Sequence, residues 1–223
     1  MDLTNSVALV TGANRGLGRH FATQLLERGA KVYAGVRKPD GLDLPGVVPI
    51  EMDITDPAAV ERAAKAAGDV TLLVNNAGAL HPVSVLSGSM QDVRTEMEVN
   101  YFAPLAVIRA FAPVIEKNGG GAILNALSVL AWYHVDALGA HNAAKAASWA
   151  ATDALREALA PRGVAVTSLI MGWMFTDLAG FIPDDQKVDP AGVARAALDG
   201  VAAGVPEVLA DATSQRVKSS LSA

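Results

Sequence analysis

Short apolar runs separated by alanine-rich, helix-length segments recur along the whole sequence, and no other pattern limits its possible folds as strongly. The runs are almost continuously apolar, which is typical of strands that are covered on both faces of a sheet. Strands that alternate with helices form a parallel sheet with helices packed on both sides. The seven predicted strands span residues 7–11, 31–36, 47–52, 70–75, 122–127, 164–170 and 207–211.

The segments between these runs predict helices, and residues 57–67 show the clearest start, with Thr55 or Asp56 as a cap and Pro57 in the first turn. We therefore predict an α/β fold with a doubly wound, parallel, seven-stranded Rossmann-like sheet in a single domain spanning 1–223. Ligands of such sheets bind beyond the carboxyl ends of the strands, so the residues after each strand are the candidate site. The predicted helices span residues 16–28, 57–67, 90–117 and 140–160.

Composition excludes several classes of function. The formal net charge is -5 and no cluster of Lys and Arg is present, which argues against a nucleic-acid partner. The chain has no cysteine, so disulfide and thiolate chemistry are excluded. The N-terminal residues do not resemble a signal peptide, and no uninterrupted apolar run approaches the roughly 18 residues of a membrane span. We expect a soluble, cytoplasmic protein without a membrane partner.

A glycine-rich turn follows the first predicted strand and precedes the first predicted helix. Gly12, Gly16 and Gly18 in "TGANRGLG" would let the backbone approach a pyrophosphate at the helix N-terminus. The spacing differs from the common dinucleotide fingerprint and lacks the Lys-Ser/Thr pair of a P-loop. A plain tight turn is the alternative interpretation.

The end of the second predicted strand indicates which dinucleotide would bind. Proteins that prefer NAD usually place an acidic residue there to hold the ribose 2′-hydroxyl. This chain has Val36, Arg37 and Lys38 instead, and Arg15 lies in the glycine-rich turn. Guanidinium groups bind a 2′-phosphate well, so we predict NADP(H) as the cofactor. Alternatively, Arg37 and Lys38 are ordinary surface charges.

Further motifs follow the glycine-rich turn along the chain: "MDIT" with Asp53, "NNAG" at 75–78, "EVNYF" with Asn100, Ser128 after the fifth strand, Lys145, and "MGWMFT" with Gly172 and Thr176. Together, in this order and at this spacing, they resemble the short-chain dehydrogenase/reductase family over essentially the whole chain. The resemblance implies that Asn100 is a structural and proton-relay residue, that Ser128 orients the substrate carbonyl and that Lys145 holds the nicotinamide ribose. It also implies a set of cofactor-binding residues in the glycine loop, in "MDIT", in "NNAG" and in "MGWMFT". They are Gly12, Arg15, Gly16, Leu17, Gly18, Arg37, Asp53, Ile54, Asn76, Ala77, Gly78, Lys145, Gly172 and Thr176.

The sequence departs from the family pattern at its general acid. The family places a tyrosine four residues before the lysine and thirteen after the serine, where this chain has His141. Met171 also replaces the proline of the segment that contains Gly172. The histidine affects the proton transfer to the substrate, whereas the cofactor-binding motifs are unchanged by it.

Three interpretations of His141 remain open. In the first interpretation, His141 replaces the tyrosine as the acid/base. Lys145, one helical turn away, should lower the pKa of His141 and leave it mostly neutral near pH 7. Alternatively, the substrate is an iminium ion that needs no proton donor, with Asn142 and Ser128 helping to orient it. In the third interpretation the protein binds NADP(H) without reductase turnover, as a regulatory or non-redox protein. A laboratory substitution in an ordinary reductase is compatible with each.

The other candidate acids and ligands are weaker. Tyr133 is the only phenol near Ser128, and it fits a pocket-lining position better than a catalytic one. His134 is expected on a loop or the surface, His20 in the first helix and His81 in a loop. The sequence shows no metal-ligand spacing among them, so we predict no metal site.

Aromatic residues follow two predicted strands although the chain is aromatic-poor, at 5%. They predict a hydrophobic small-molecule substrate, because such pockets are mostly apolar. Residues 177–190 resemble a lid that shields the reaction from water. Trp149 and the helix around it are a candidate subunit interface, and the family resemblance implies a homodimer or homotetramer. The predicted substrate residues are Trp132, Tyr133, Trp173 and Phe175.

Overall fold

The computed structural model describes residues 1–221 and contains one large parallel sheet. The strand order is β3-β2-β1-β4-β5-β6-β9, and all six pairings are parallel. The predicted doubly wound, seven-stranded α/β fold is therefore confirmed. The strands are β1 (Val7–Thr11), β2 (Lys31–Val36), β3 (Val48–Glu51), β4 (Leu72–Asn75), β5 (Gly121–Ala126), β6 (Val164–Ile170) and β9 (Glu207–Leu209).

Helices cover both faces of this sheet, and each face has its own buried apolar cluster. On one face α1 and α6 pack beside each other, with Phe21, Leu25 and Leu198 fully buried. On the other face α2 and α4 contact each other, and Phe111 of α4 shares a buried cluster with Leu73 of the sheet. The helices are α1 (Gly16–Glu27), α2 (Pro57–Ala66), α3 (Met90–Met97), α4 (Ala103–Lys117), α5 (Gly139–Leu159), α6 (Pro190–Ala203) and α7 (Ala212–Ser220).

The start of α2 forms as its sequence predicts. The Asp56 side chain accepts a hydrogen bond from the Ala58 backbone N–H at 2.9 Å, and Pro57 takes the first helical position. A cap of this kind satisfies one of the N–H groups that have no partner inside the helix, and proline has no N–H to satisfy. Of the two capping residues considered, Asp56 is the one that acts.

The long predicted helix over 90–117 is continuous but contains a π-helical turn, Glu98–Phe102, between α3 and α4. By length and composition alone, Met90–Lys117 would also suit a membrane span. Phe111 and Ile115 of α4 are fully buried against the sheet, so this apolar face belongs to the protein core. Asn100 lies inside the π-helical turn, and such turns are often found at functional sites.

Two strands were not predicted, because each has only two residues. β7 (Trp173–Met174) pairs with β8 (Lys187–Val188), so the residues just before the predicted lid segment lie beside its C-terminal part. Between them lie two short 3₁₀ turns, Asp177–Ala179 and Asp184–Gln186. The segment is therefore partly ordered at its base, and it lies just after the carboxyl end of β6.

Candidate active site

The glycine-rich turn adopts backbone conformations that need glycine. Gly12 and Gly16 have φ values of 69° and 51°, in the left-handed region. Gly18 is required for a different reason, because a Cβ there would collide with the Gly12 carbonyl oxygen and the Asn76 amide. Leu17, between them, is buried in the core. The turn thus keeps the start of α1 close to β1 and leaves its backbone open to a phosphate.

Thr11 fixes the glycine turn to the segment after β4. Its hydroxyl oxygen accepts hydrogen bonds at 2.9 Å from the backbone N–H groups of both Asn76 and Ala77. The Asn76 side-chain amide donates to the Thr11 carbonyl oxygen, also at 2.9 Å. β1 and β4 are neighbours at the point where the strand order of the sheet reverses, which is where ligands of such folds bind. The Thr11 hydrogen bonds therefore bring two predicted cofactor segments together at that point.

The carboxyl end of β2 is basic, as the sequence indicates. Arg37 and Lys38 are exposed directly after the strand. The Asp53 carboxylate accepts hydrogen bonds from the backbone N–H and hydroxyl of Thr55, at 2.9 and 2.7 Å. These bonds lower the pKa of Asp53, and the charge of Arg37 lowers it further. Ile54, the next predicted cofactor residue, is half-buried.

Arg15 forms an exposed ion pair across the mouth of this region. Its guanidinium lies 2.9 Å from the carboxylate of Asp177, the first residue of the predicted lid segment. A pair this exposed contributes little to stability. Thr176 also packs on the glycine turn, 3.3 Å from the position that a Cβ on Gly16 would occupy. The lid and the glycine loop therefore touch each other through predicted cofactor residues.

Gly172, the remaining cofactor candidate, is held by the C-terminal part of the fold. Its backbone N–H donates to the Asp211 carboxylate at 2.7 Å. The same carboxylate caps α7 by accepting a hydrogen bond from the Ser214 N–H at 2.7 Å. The start of β7 is thus fixed in place just beyond the carboxyl end of β6.

A buried carboxylate organises the centre of the site, and it was not among the predicted residues. Glu96, in the last turns of α3, is fully buried. Its Oε2 lies 2.9 Å from Nδ1 of His141 and accepts a hydrogen bond from the Asn100 amide at 3.0 Å. Its Oε1 accepts from the His81 backbone N–H at 3.0 Å and lies 2.7 Å from Nδ1 of His81. The only signal in the sequence is that Glu96 stands one helical turn before Asn100, on the same face.

His141 lies in the first turn of α5 and is only 4% exposed. Burial lowers the pKa of His141 by disfavouring its charged form, and the positive charge of Lys145 lowers it further. The hydrogen bond to Glu96 opposes both effects without reversing them. The predicted depression of the His141 pKa is confirmed, with burial as a larger cause than Lys145.

Burial also acts on the two other charged groups at this centre. It raises the pKa of Glu96, but hydrogen bonds from His141 and His81 outweigh that effect, so the pKa lies below the usual range. Burial lowers the pKa of Lys145 to about 8, against a smaller opposing effect of the Glu96 charge. At neutral pH the site therefore holds an ionised Glu96 and a neutral His141.

Lys145 and Asn100 line a cleft beneath this centre, between α4, α5 and the sheet. The cleft has about 30 Å³ of space that a water molecule can reach, and we call it the Asn100–Lys145 cleft. A Cβ on Gly78 would lie 3.0 Å from Oδ1 of Asn100 and 3.9 Å from Nζ of Lys145, so "NNAG" also reaches these residues. The buried Oδ1 of Asn75 lines the cleft and has no hydrogen-bond partner among the described residues. That space is enough for about two water molecules, and a water there would satisfy Oδ1 of Asn75.

Ser128 follows β5 and starts a short 3₁₀ turn, Val129–Ala131. Its hydroxyl oxygen accepts a hydrogen bond from the Leu130 N–H at 3.2 Å, which leaves the hydroxyl proton for another partner. Asn142 holds this turn against α5, because its amide donates to the carbonyl oxygens of Leu130 and Tyr133 at 2.9 and 3.0 Å. Asn142 is therefore committed to the backbone and is not free to orient a substrate.

The four predicted substrate residues divide into two groups. Trp173 is half-buried and packs edge-to-face on Phe181 at 5.6 Å, while Phe175 and Tyr133 are about half exposed. Trp132 is only 8% exposed and belongs to a buried cluster with Trp149, 5.7 Å away. Trp132 thus faces the core, and Trp149 packs within its own chain.

The histidines outside the centre occupy different environments. His134 is exposed and His20 is half-buried in α1, as expected. His81 is in a loop, as expected, but its bond to Glu96 was not foreseen. Within residues 1–221, no group of three or more His, Cys, Asp or Glu side chains has an arrangement that would hold a metal ion.

Comparisons with known proteins agree with this geometry. A family model described as short chain dehydrogenase matches residues 6–187. A crystal structure of a short chain dehydrogenase from Burkholderia cenocepacia J2315, in complex with NADP, is 43% identical, with a TM-score of 0.95. The match covers 100% of this chain and 95% of that one. The chain belongs to the short-chain dehydrogenase/reductase family of oxidoreductases.

Two further relatives show how broad the similarity is. An uncharacterised oxidoreductase of Staphylococcus aureus (strain N315) is 31% identical, over 88% of this chain and 90% of its own length. A 2,5-dichloro-2,5-cyclohexadiene-1,4-diol dehydrogenase of Sphingobium indicum is 31% identical, over 82% of this chain and 78% of its own. The family is therefore shown, while these relatives leave the substrate open.

Proposed function

We propose that this protein is an NADP(H)-dependent oxidoreductase that transfers hydride between the nicotinamide and a C=O or C=N group of a hydrophobic small molecule. The observation that carries the proposal is the convergence of Asn100, His141 and Lys145 around one buried carboxylate, beside the glycine-rich turn. Small-molecule substrates are usual in this family, which supports the same conclusion.

The preference for NADP(H) rests on charge. Arg37 and Lys38 are exposed at the end of β2, where a carboxylate would repel a 2′-phosphate, and Arg15 is an exposed third basic residue in the glycine-rich turn. The Burkholderia cenocepacia relative was crystallised with NADP, which agrees with this preference. When bound, the nicotinamide supplies or accepts the hydride.

The chain's own residues would supply binding, orientation and proton control. Ser128 donates its hydroxyl proton to the substrate oxygen or nitrogen, and Lys145 binds the nicotinamide ribose. Asn100, Oδ1 of Asn75 and the Lys145 amine would hold a water molecule in the Asn100–Lys145 cleft. Tyr133, Trp173 and Phe175 form the apolar side of the pocket, and the segment between β7 and β8 covers it.

His141 limits the proton chemistry. It is mostly neutral at neutral pH because its pKa is lowered, and a neutral imidazole is a poor proton donor. Reduction of a neutral ketone would therefore be slow near pH 7. Oxidation of an alcohol needs a proton acceptor instead, and reduction of an iminium ion needs no donor at this position. Both of these reactions match the residue that is present.

A second candidate function is binding of NADP(H) without turnover. The observation that favours it is that no phenol lies at the position of the family's general acid, while the histidine in its place is buried and hydrogen-bonded. For either function we propose a cytoplasmic homodimer or homotetramer.

The cofactor preference is tested with Arg37→Ala and the matched control Arg195→Ala, an exposed arginine on α6. A charge-assisted hydrogen bond contributes about 1.5–3 kcal/mol, so NADPH affinity should fall roughly 10–100-fold in Arg37→Ala only. NADH affinity should change less than about twofold. Equal effects of both variants on NADPH affinity, measured by cofactor fluorescence, would contradict the preference.

The two candidate functions are separated by turnover. The oxidoreductase function requires that the chain bind NADPH and turn over at least one compound from a panel of aromatic alcohols, ketones and cyclic imines. Tight NADPH binding with no turnover of any panel member supports the second function. Absence of NADPH and NADH binding would overturn both.

A further inference from the structure

We propose that Glu96 is a positioning residue that holds His141 as its Nδ1–H tautomer, so that Nε2 of His141 is a proton acceptor for oxidation of an alcohol. This inference rests on the proposed oxidoreductase function and names the proton-transfer role and the reaction direction that the site favours. The substrate class is a secondary or primary alcohol with an apolar body.

The tautomer follows from counting donors and acceptors at Glu96. An ionised carboxylate can only accept hydrogen bonds, and it has about four acceptor positions. The structure fills all four, with Nδ1 of His141 and the Asn100 amide on Oε2, and the His81 backbone N–H and Nδ1 on Oε1. Both imidazoles must therefore carry a proton on Nδ1. In a neutral His141 this leaves Nε2 with a free electron pair.

Burial favours the hydrogen bond between Glu96 and Nδ1 of His141 over any alternative partner. Glu96 is fully buried and His141 is 4% exposed, so neither group can replace its partner with bulk water. Leaving a buried charge without a partner is costly, which favours the state in which His141 donates to Glu96. Nδ1 of His141 is thus occupied, and only Nε2 remains available to a substrate.

The charged and titratable groups that act on His141 come from three parts of the fold. Glu96 belongs to α3, Lys145 to the same helix as His141, and His81 to the loop after β4. Glu96 favours the imidazolium form, while Lys145 and His81 disfavour it. His81 is 60% exposed at its side chain, so it links the buried carboxylate to solvent.

The chemical step balances without a further reactant. The O–H bond of the alcohol breaks and its proton moves to Nε2 of His141. The C–H bond breaks and its electron pair leaves as hydride to the oxidised nicotinamide dinucleotide, while a C=O bond forms. The resulting imidazolium lies beside the Glu96 carboxylate, which stabilises the new charge, and it later releases its proton to water.

The first test is histidine ¹⁵N NMR of the full-length protein, with His141 assigned by substitution. The proposal predicts a protonated Nδ1 and an unprotonated Nε2 for His141 at neutral pH. Protonation of Nε2 with a bare Nδ1 would overturn it. This measurement needs no turnover, so it stands even if the proposed function fails.

The second test compares Glu96→Gln with Glu98→Gln, which removes an exposed carboxylate two residues away. A glutamine amide donates to Nδ1 and so favours the opposite tautomer. We expect kcat for alcohol oxidation to fall about 10²–10⁴-fold in Glu96→Gln, with little change in KM or NADPH affinity. The acid limb of the pH profile should also move to lower pH. Equal kcat and pH profiles in the two variants would overturn the proposal.

Discussion

At the scale of single residues, the buried contact between Nδ1 of His141 and the Glu96 carboxylate carries the proton chemistry that we propose. His141 stands out because of its spacing from Ser128 and Lys145. Glu96 does not, because a glutamate in a helix is usually solvated and only the folded chain shows it to be fully buried. The direction of the His141 pKa was predictable from Lys145, whereas the contributions of burial and Glu96 required the structure.

The depressed pKa values at this centre predict how stability depends on pH. His141 and Glu96 both have folded-state pKa values below their unfolded values, so the unfolded chain binds protons more readily as the pH falls. The Glu96 contribution declines only below about pH 4.5, the ordinary pKa of a glutamate. The His141 contribution is complete above about pH 6.5 and declines below it, with a slope of at most about 1.4 kcal/mol per pH unit. Urea unfolding from pH 8 to 5 measures this decline.

Two substitutions separate the contribution of His141 from that of other histidines. His141→Gln should flatten the decline between about pH 6.5 and the lower pKa of His141, while His134→Gln, at an exposed position, should keep it. A steeper or unchanged slope in His141→Gln would contradict the assigned pKa direction.

At the scale of elements, apolar runs predicted all seven strands of the main sheet, because strands covered on both faces are continuously apolar. The prediction missed β7 and β8, since two residues carry no periodicity, and it missed the π-helical turn around Asn100, which has no sequence signature. The glycine-rich turn was predictable from its spacing. The close approach of Gly18 to Gly12 was not.

Gly18→Ala tests the packing of that turn, with Gly68→Ala as the control. A Cβ on Gly18 meets the Gly12 carbonyl, whereas one on Gly68 has only ordinary contact with the Lys65 carbonyl oxygen at 3.5 Å. Overpacking of this kind costs about 1–3 kcal/mol, so Tm should fall by roughly 2–12 °C, and NADPH binding should weaken with it. Equal Tm and NADPH affinity in the two variants would show that the turn adapts.

At the scale of the whole molecule, the fold brings the candidate cofactor segments and the Glu96–His141 pair to one edge of the sheet. In the proposed function the turn after β1 and the basic end of β2 bind the cofactor, while α3 and α5 contribute Glu96 and His141. The sequence predicted that the site lies at the carboxyl ends of the strands and included His141 in it, but not Glu96. It did not predict that a residue from α3 would control the histidine, because that contact spans 45 positions of the chain.

The most direct measurement compares rates with a matched alcohol, ketone and cyclic imine from about pH 5 to 9 in the unsubstituted chain, His141→Tyr and Tyr133→Phe. The unsubstituted chain should oxidise the alcohol and reduce the imine near pH 7, and should reduce the ketone only as the pH falls. His141→Tyr should gain about 10²–10⁴-fold in ketone reduction at pH 7, and Tyr133→Phe should match the unsubstituted chain. Fast ketone reduction at pH 7 that is unaffected by His141→Tyr, or abolished by Tyr133→Phe, would contradict the role assigned to His141.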